Sequence, residues 1–204
     1  MLPEKNKVLV LFTHPLLERS RANRLILKSY SDREDVTFHD LYERYPDFNI
    51  DVEYEKELLL QHEMIIWHHP FYWYSCPPLL KQWIDMVLEV GWAYGPGGDA
   101  LEGKSILQTI TVGGGVQAYQ ESGHNRFTIR EFLRPFEQTA NLCKMNYFPP
   151  FVIHGTHRLD KQGFTDYAAE LGLFLDNWQD IQYQPNLYQH TYINDLLKKI
   201  ATTK

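Results

Sequence analysis

The stretch EMIIWHHPFYWYSCPPLLKQWID, residues 63–85, holds the fold in miniature. Its opening, Met64 to Trp67, is a short apolar run stopped by Pro70, the pattern of a strand buried on both faces. Pro77 and Pro78 open a helix, where a missing N–H costs nothing. Leu79, Leu80, Trp83, Ile84, Val87 and Leu88 then recur on one helical stripe, and Gly91 marks its end. Between strand and helix stand four aromatic residues, Phe71 to Tyr74. A short turn cannot pack all four inward, so some face a groove, and a flat apolar ligand suits it. The plainer alternative makes them core or dimer surface.

The same alternation extends in both directions. Val8 to Phe12 is a second doubly buried strand, ending at Thr13-His14-Pro15. Helical spacing runs from Asn23 to Tyr30, and DVTFHDL (35–41) alternates as a short strand. Asp51 is an N-cap for a helix through about His62. SILQTITVGGG (105–115) is a strand that runs into glycines. A helix over about 128–143, a fifth strand near 148–153 and a helix from Lys161 to Asp180 follow. Five strands alternating with five helices define an α/β fold: a parallel sheet covered on both faces through right-handed crossovers. Residues 1–204 read as one domain, with 181–204 as a tail that packs on its own dimer mate or serves as a contact arm.

The charge balance, 20 Lys plus Arg against 26 Asp plus Glu, leaves a net −6 and no electrostatic footprint for nucleic acid or an anionic membrane. Cys76 and Cys143 stand far apart without a metal-binding spacing, which fits a reducing, cytoplasmic setting. No apolar run reaches the length of a membrane span or a signal h-region. His68 and His69 resemble a metal pair, but neighbouring strand residues point to opposite faces, so no metal site is expected.

Ligands of such sheets bind beyond the carboxyl ends of the strands at a switch point, here the loops after strands 1, 3 and 4. In the first, Arg19, Ser20, Arg21, Ala22 and Asn23 gather backbone N–H groups, a hydroxyl and an amide at a helix start, a cradle for phosphate or an ordinary Ser cap. It is neither a Walker A loop nor G-x-G-x-x-G. In the second, Phe71, Tyr72 and Trp73 wall a planar ring. In the third, Gly113 to Gly115 bring backbone amides up to a ring-edge anion, or make a flexible turn. Phosphate, flat ring and ring-edge anion together describe flavin mononucleotide.

At these residues the chain resembles the flavodoxin-like NAD(P)H:quinone oxidoreductases, a group that includes DT-diaphorase and the ancillary flavoproteins of bacterial glutathione-gated potassium-efflux systems. The likeness is stronger to the latter. It rests on THP with SRAN, LYERYPDFNID, HHPFYWYSCPPLLKQWID, GWAYGPGGDALEGK and TVGGG, in order over most of residues 8–115.

The resemblance implies a flavodoxin-like three-layer fold with strand order 2-1-3-4-5. It also implies a homodimer and ping-pong hydride transfer from NAD(P)H through flavin N5 to a quinone-like acceptor. By motif, His14 with Ser20, Arg21, Ala22 and Asn23 hold the phosphate arm of FMN (or FAD). Pro70, Phe71, Tyr72 and Trp73 hold the ring, and Thr111, Val112, Gly113 and Gly114 its pyrimidine edge. Tyr119 and His124 take the catalytic places beside the ring. The competing reading is a regulatory subunit that docks on the cytoplasmic side of a membrane potassium/proton antiporter and activates it, with reductase activity secondary. A one-electron flavodoxin-type carrier ranks last, since its hydroxyl-and-glycine phosphate loop is missing.

Overall fold

Val8–Phe12 forms β1, and every residue in it is buried, as a strand read as apolar throughout requires. It pairs in parallel with β2 (Val36–Asp40) on one side and β3 (Met64–Pro70) on the other, Val8 facing Val36 and Met64. β4 (Ser105–Thr111) is likewise wholly buried and pairs in parallel with β5 (Asn146–Tyr147) and β6 (Phe151–Ile153). The sheet order is β2-β1-β3-β4-β5, with β6 also on β4. The computed structural model describes residues 7–203; residues 1–6 and 204 of the span read as one domain lie outside it.

The expected order therefore stands, and the fifth strand comes in two pieces. Pro149 and Pro150 separate them, because two consecutive residues without N–H groups cannot donate to a ladder.

Two compact units make up the chain, each drawn from separate stretches. The first takes residues up to 15, 33–107 and 133–147. Here α3 (Val52–Leu60) starts at Asp51, whose Oδ1 accepts the Tyr54 N–H at 3.1 Å, as the capping pattern predicts. It packs on α4 (Pro78–Val87), whose buried residues are the predicted stripe of Leu79, Leu80, Trp83, Ile84 and Val87. A short helix that the sequence pattern did not show, Leu41–Arg44, follows β2 directly, and Asp40 caps it by accepting from the Tyr42 and Glu43 N–H groups.

This unit also encloses a carboxyl group. Glu55 on α3 has no exposed surface, and three donors converge on its carboxylate. His39 Nε2–H and Tyr45 O–H reach Oε1 at 2.7 and 2.6 Å, and Trp83 Nε1–H reaches Oε2 at 2.7 Å. One side chain thus ties β2, the segment after Leu41–Arg44, α3 and α4.

The second unit takes residues 16–32, 108–132 and 148 onward. Its first helix, Arg21–Ile26, starts two residues before the predicted Asn23 because Ser20 caps it, and it tightens into a 3-10 turn over Leu27–Ser29. The expected helix over 128–143 is two helices, Ile129–Phe132 and Arg134–Leu142, the second of which belongs to the first unit. Pro135 cannot donate back to Glu131, so the run breaks at Leu133, where ψ is 1°. The long helix Lys161–Ile181 matches the predicted one, with Asp160 as its cap. The tail holds a further helix, Ile193–Thr203, whose Ile193, Leu196 and Leu197 are buried. That helix packs on Lys161–Ile181 and on β6 of the same chain. No helix among the described residues is long and apolar enough to cross a membrane.

Candidate flavin site

In the first unit, β1 and β3 end side by side. The Thr13 N–H donates to the His68 carbonyl at 2.9 Å, so the THP and HHPFYWY segments leave neighbouring strand ends. His14 is 6 % exposed, and burial lowers its pKa below the usual imidazole range, which keeps the ring neutral. Its ring meets that of Tyr72 edge-on at 6.1 Å. The buried Thr13 hydroxyl has no hydrogen-bond partner.

The aromatic turn is strained. Trp73 has φ 48° and ψ 44°, and Tyr74 follows at φ 64°. Two successive bulky residues in the left-handed region cost of order 1–3 kcal/mol each, a strain that clusters at ligand clamps and active sites. The conformation throws Trp73 outward, 92 % exposed, with Tyr72 and Tyr74 exposed beside it. Phe71 sits against Tyr74, ring centroids 6.2 Å apart, and Pro70 is buried at the end of β3. Cys76, three residues after Trp73, is a thiol that burial pushes up to about 11, so it stays protonated at neutral pH.

In the second unit, the start of the first helix is bonded to the end of β4. Ser20 Oγ accepts from the Asn23 backbone N–H at 3.2 Å and from Asn23 Nδ2 at 2.9 Å. Asn23 Nδ2 also donates to Thr111 Oγ1 at 3.3 Å. Asn23 and Thr111 are buried, as is Ala22 between Arg21 and Asn23. Arg21 turns elsewhere. Its guanidinium donates to the Leu159 carbonyl at 2.6 Å and lies 5.3 Å from the Phe164 ring centroid, fixing the loop before Lys161–Ile181.

The glycine turn is pinned on both sides. Val112 N–H donates to Ile153, and Gly155 N–H donates to the Gly114 carbonyl, both at 2.9 Å. A Cβ on Gly113 would stand 2.6 Å from His157 Nε2, and one on Gly114 would stand 3.0 Å from the Tyr119 ring. A side chain at either position would press on its neighbour, so His157 or the Tyr119 ring would have to shift to admit it. Tyr119 is buried against His154, whereas His124, in the turn that Gly123 closes, is exposed. Sequence reasoning did not find His154 and His157, which follow β6 in IHGTH; no spacing links them to a turn some forty residues earlier.

A parallel sheet of this order, with a strained aromatic turn after β3 and a pinned glycine turn after β4, is the architecture of a doubly wound α/β ligand-binding protein. The chain belongs to the flavodoxin-like fold family, whose family model matches residues 6–173. A relative from Erwinia tasmaniensis, named glutathione-regulated potassium-efflux system ancillary protein KefG, is 44 % identical over 177 residues. That match covers 87 % of this chain and 96 % of the relative. Among solved structures, an NADPH-quinone reductase from P. pentosaceus superposes with a TM-score of 0.76 at 34 % identity, covering 82 % of this chain and 96 % of that one. General stress protein 14 from Treponema denticola, in complex with FMN, gives 0.73 at 38 % identity, covering 81 % and 97 %. A structure described as a tryptophan halogenase from Streptomycin violaceusniger gives 0.77 at 42 %, covering 79 % and 94 %, so the fold is shared across differing named activities.

Proposed function

We propose that this protein is an FMN-dependent NAD(P)H:quinone oxidoreductase and works as a homodimer. The observation that carries the reading is the turn after β3: an exposed tryptophan held on strained backbone between two further exposed tyrosines. Strain of this kind persists only where the surrounding structure enforces it, and a flat apolar ligand gives it a use. The FMN bound to the Treponema relative and the reductase named from P. pentosaceus support the same choice.

When bound, FMN supplies the two-electron acceptor that takes hydride from NAD(P)H and passes it to a quinone. The chain's own residues do the rest. Ser20, Arg21, Ala22 and Asn23, with His14, hold the phosphate arm through backbone N–H groups and neutral donors. Pro70, Phe71, Tyr72 and Trp73 grip the ring, and Thr111 to Gly114 present backbone at its polar edge. Tyr119 and His124 stabilise charge there by donating protons in hydrogen bonds.

The test is the visible spectrum of the protein purified with added FMN, followed by anaerobic addition of NADPH or NADH and then a benzoquinone. Bands that bleach with nicotinamide and return with quinone are the expected result. No bound flavin would sink the proposal. Trp73→Ala is expected to weaken FMN retention about threefold to tenfold, the worth of one aromatic stacking contact, with the melting temperature unchanged because the side chain is 92 % exposed. Unaltered flavin content in that variant would remove Trp73 from the site.

The names of the relatives favour a second role. The Erwinia protein is called an ancillary protein of a potassium-efflux system, and the match spans nearly all of it. On this reading the chain acts at the cytoplasmic face of the inner membrane by docking on a potassium/proton antiporter. Co-purification with such an antiporter, compared between NADPH-reduced and oxidised protein, separates a regulator from a free-standing reductase.

A further inference from the structure

The second unit contains a cavity of about 360 Å³ beyond the end of β6, within the size range of small-molecule pockets. It is lined by the rings of Tyr119, His154, Tyr167 and Tyr192 and by Asp195 and Lys198 of the helix Ile193–Thr203. That helix is fixed at its start. Asn194 Oδ1 accepts the Val152 N–H at 2.9 Å and its Nδ2 donates to Glu170 at 3.2 Å, so the helix is bonded to both the strand and the helix Lys161–Ile181.

Two features mark the cavity as built for a ligand. His154 is 93 % buried, its ring 6.2 Å from that of Tyr119 and 5.2 Å from that of Tyr192; the Gly114 backbone lies near enough to favour its charged form, yet neither ring nitrogen has a partner in good hydrogen-bonding geometry. Leaving such a group unsatisfied costs about 1–3 kcal/mol, and a native structure retains it where it has a use. Asp195 and Lys198, one helical turn apart, line the same cavity, yet no ion pair joins them among the described residues. Both line the cavity that His154 lines as well.

An anion would suit Lys198 and be repelled by Asp195; a cation would meet the reverse. A molecule with both charges satisfies each. We infer that this cavity binds a small zwitterion, a free α-amino acid or a dipeptide, its carboxylate on Lys198, its ammonium on Asp195 and its side group among Tyr119, Tyr192 and His154. The inference stands on the cavity alone and does not need the flavin. Its interest grows with the flavin reading, because Tyr119 forms one wall of the cavity and also packs on Gly114. A bound zwitterion would then touch a residue assigned to the flavin edge.

The experiment uses the full chain as purified, whatever its flavin content, with L-phenylalanine, L-glutamine and glycyl-L-phenylalanine as probes, read by saturation-transfer NMR and calorimetry. At least one is expected to bind at millimolar concentration. The matching N-acetyl form, lacking the ammonium, and the C-terminal amide, lacking the carboxylate, are expected to bind about tenfold or more weakly. Asp195 and Lys198 are exposed, so Asp195→Asn and Lys198→Met should fold normally, and each should lose about tenfold in affinity. Failure of all three probes overturns the proposal, as does equal binding of a zwitterion and its two blocked forms, or unchanged affinity in both variants.

Discussion

Glu55→Ala is expected to lower the free energy of unfolding by about 3–5 kcal/mol, and the melting temperature by roughly 10 °C. The carboxylate is fully buried, and its removal strands three donors at once: His39 Nε2–H, Tyr45 O–H and Trp83 Nε1–H. Each loses a partner that water cannot replace without opening the unit. Tyr45 already reports the arrangement. Its pKa is raised, first by burial and then by its hydrogen bond to Glu55, as a phenol donating to a carboxylate should be. Glu55→Gln keeps one oxygen acceptor but turns an NH2 toward one of the three donors, so it should fall between wild type and Ala. Urea titration of all three proteins checks this order. An Ala variant within about 1 kcal/mol of wild type would mean that the donors find other partners, and the network would lose its structural role.

The buried carboxylate was partly legible, because Glu55 stands in register with Leu58, Leu59 and His62 at i, i+3, i+4 and i+7, the buried stripe of α3. A glutamate in the run VEYEKELLL nevertheless looks like its exposed neighbours, and its partners come from three other elements. β1, β3 and the start of α4 were read almost to the residue, since period and punctuation agree there: unbroken apolar runs, then prolines at a helix start; α4 ends at Val87, short of the Gly91 that the sequence marks. The divided fifth strand and the broken 128–143 helix were each written in a proline whose lost N–H outweighs the surrounding pattern. The left-handed backbone at Trp73 and Tyr74 was not readable, because nothing in FYWY suggests positive φ. Only tertiary packing imposes it. The proposed site divides the same way: its loops follow strands and rest on local sequence, while His154 and His157 come up to the glycine turn through the pairing of β4 with β6, which no spacing encodes.

Acid is expected to unfold the protein well before its carboxylates titrate. Burial pushes the His68 imidazole down to about 3, helped by its neighbours His69 and His14, and lowers His69 and His154 to about 4. His14 and His62 shift in the same direction for the same reason. The His62 ring is held at both nitrogens, Nδ1–H donating to the Leu58 carbonyl at 2.7 Å and Nε2 bonded to the Thr37 hydroxyl, also at 2.7 Å, an arrangement that the neutral form satisfies. In the unfolded chain each histidine takes up a proton near pH 6.5, and in the folded chain His68, His69 and His154 do not until about 3 to 4. Their full contribution is therefore present above pH 6.5 and is lost as pH falls from there toward the folded values. Burial raises Asp40 and Glu170, which act in the opposite sense as they take up protons above the ordinary carboxylate range. Between pH 7 and pH 5 each of the three histidines removes about 1.5–2 kcal/mol, a loss on the order of 5 kcal/mol against a usual stability of about 5–15. Urea unfolding at pH 7, 6 and 5 measures the slope, and His68→Phe should flatten it by about a third whatever its effect on stability at pH 7. A flat profile across that range would mean that the buried imidazoles are charged in the native protein, and the neutral rings described for β3 and for the end of β6 would be wrong.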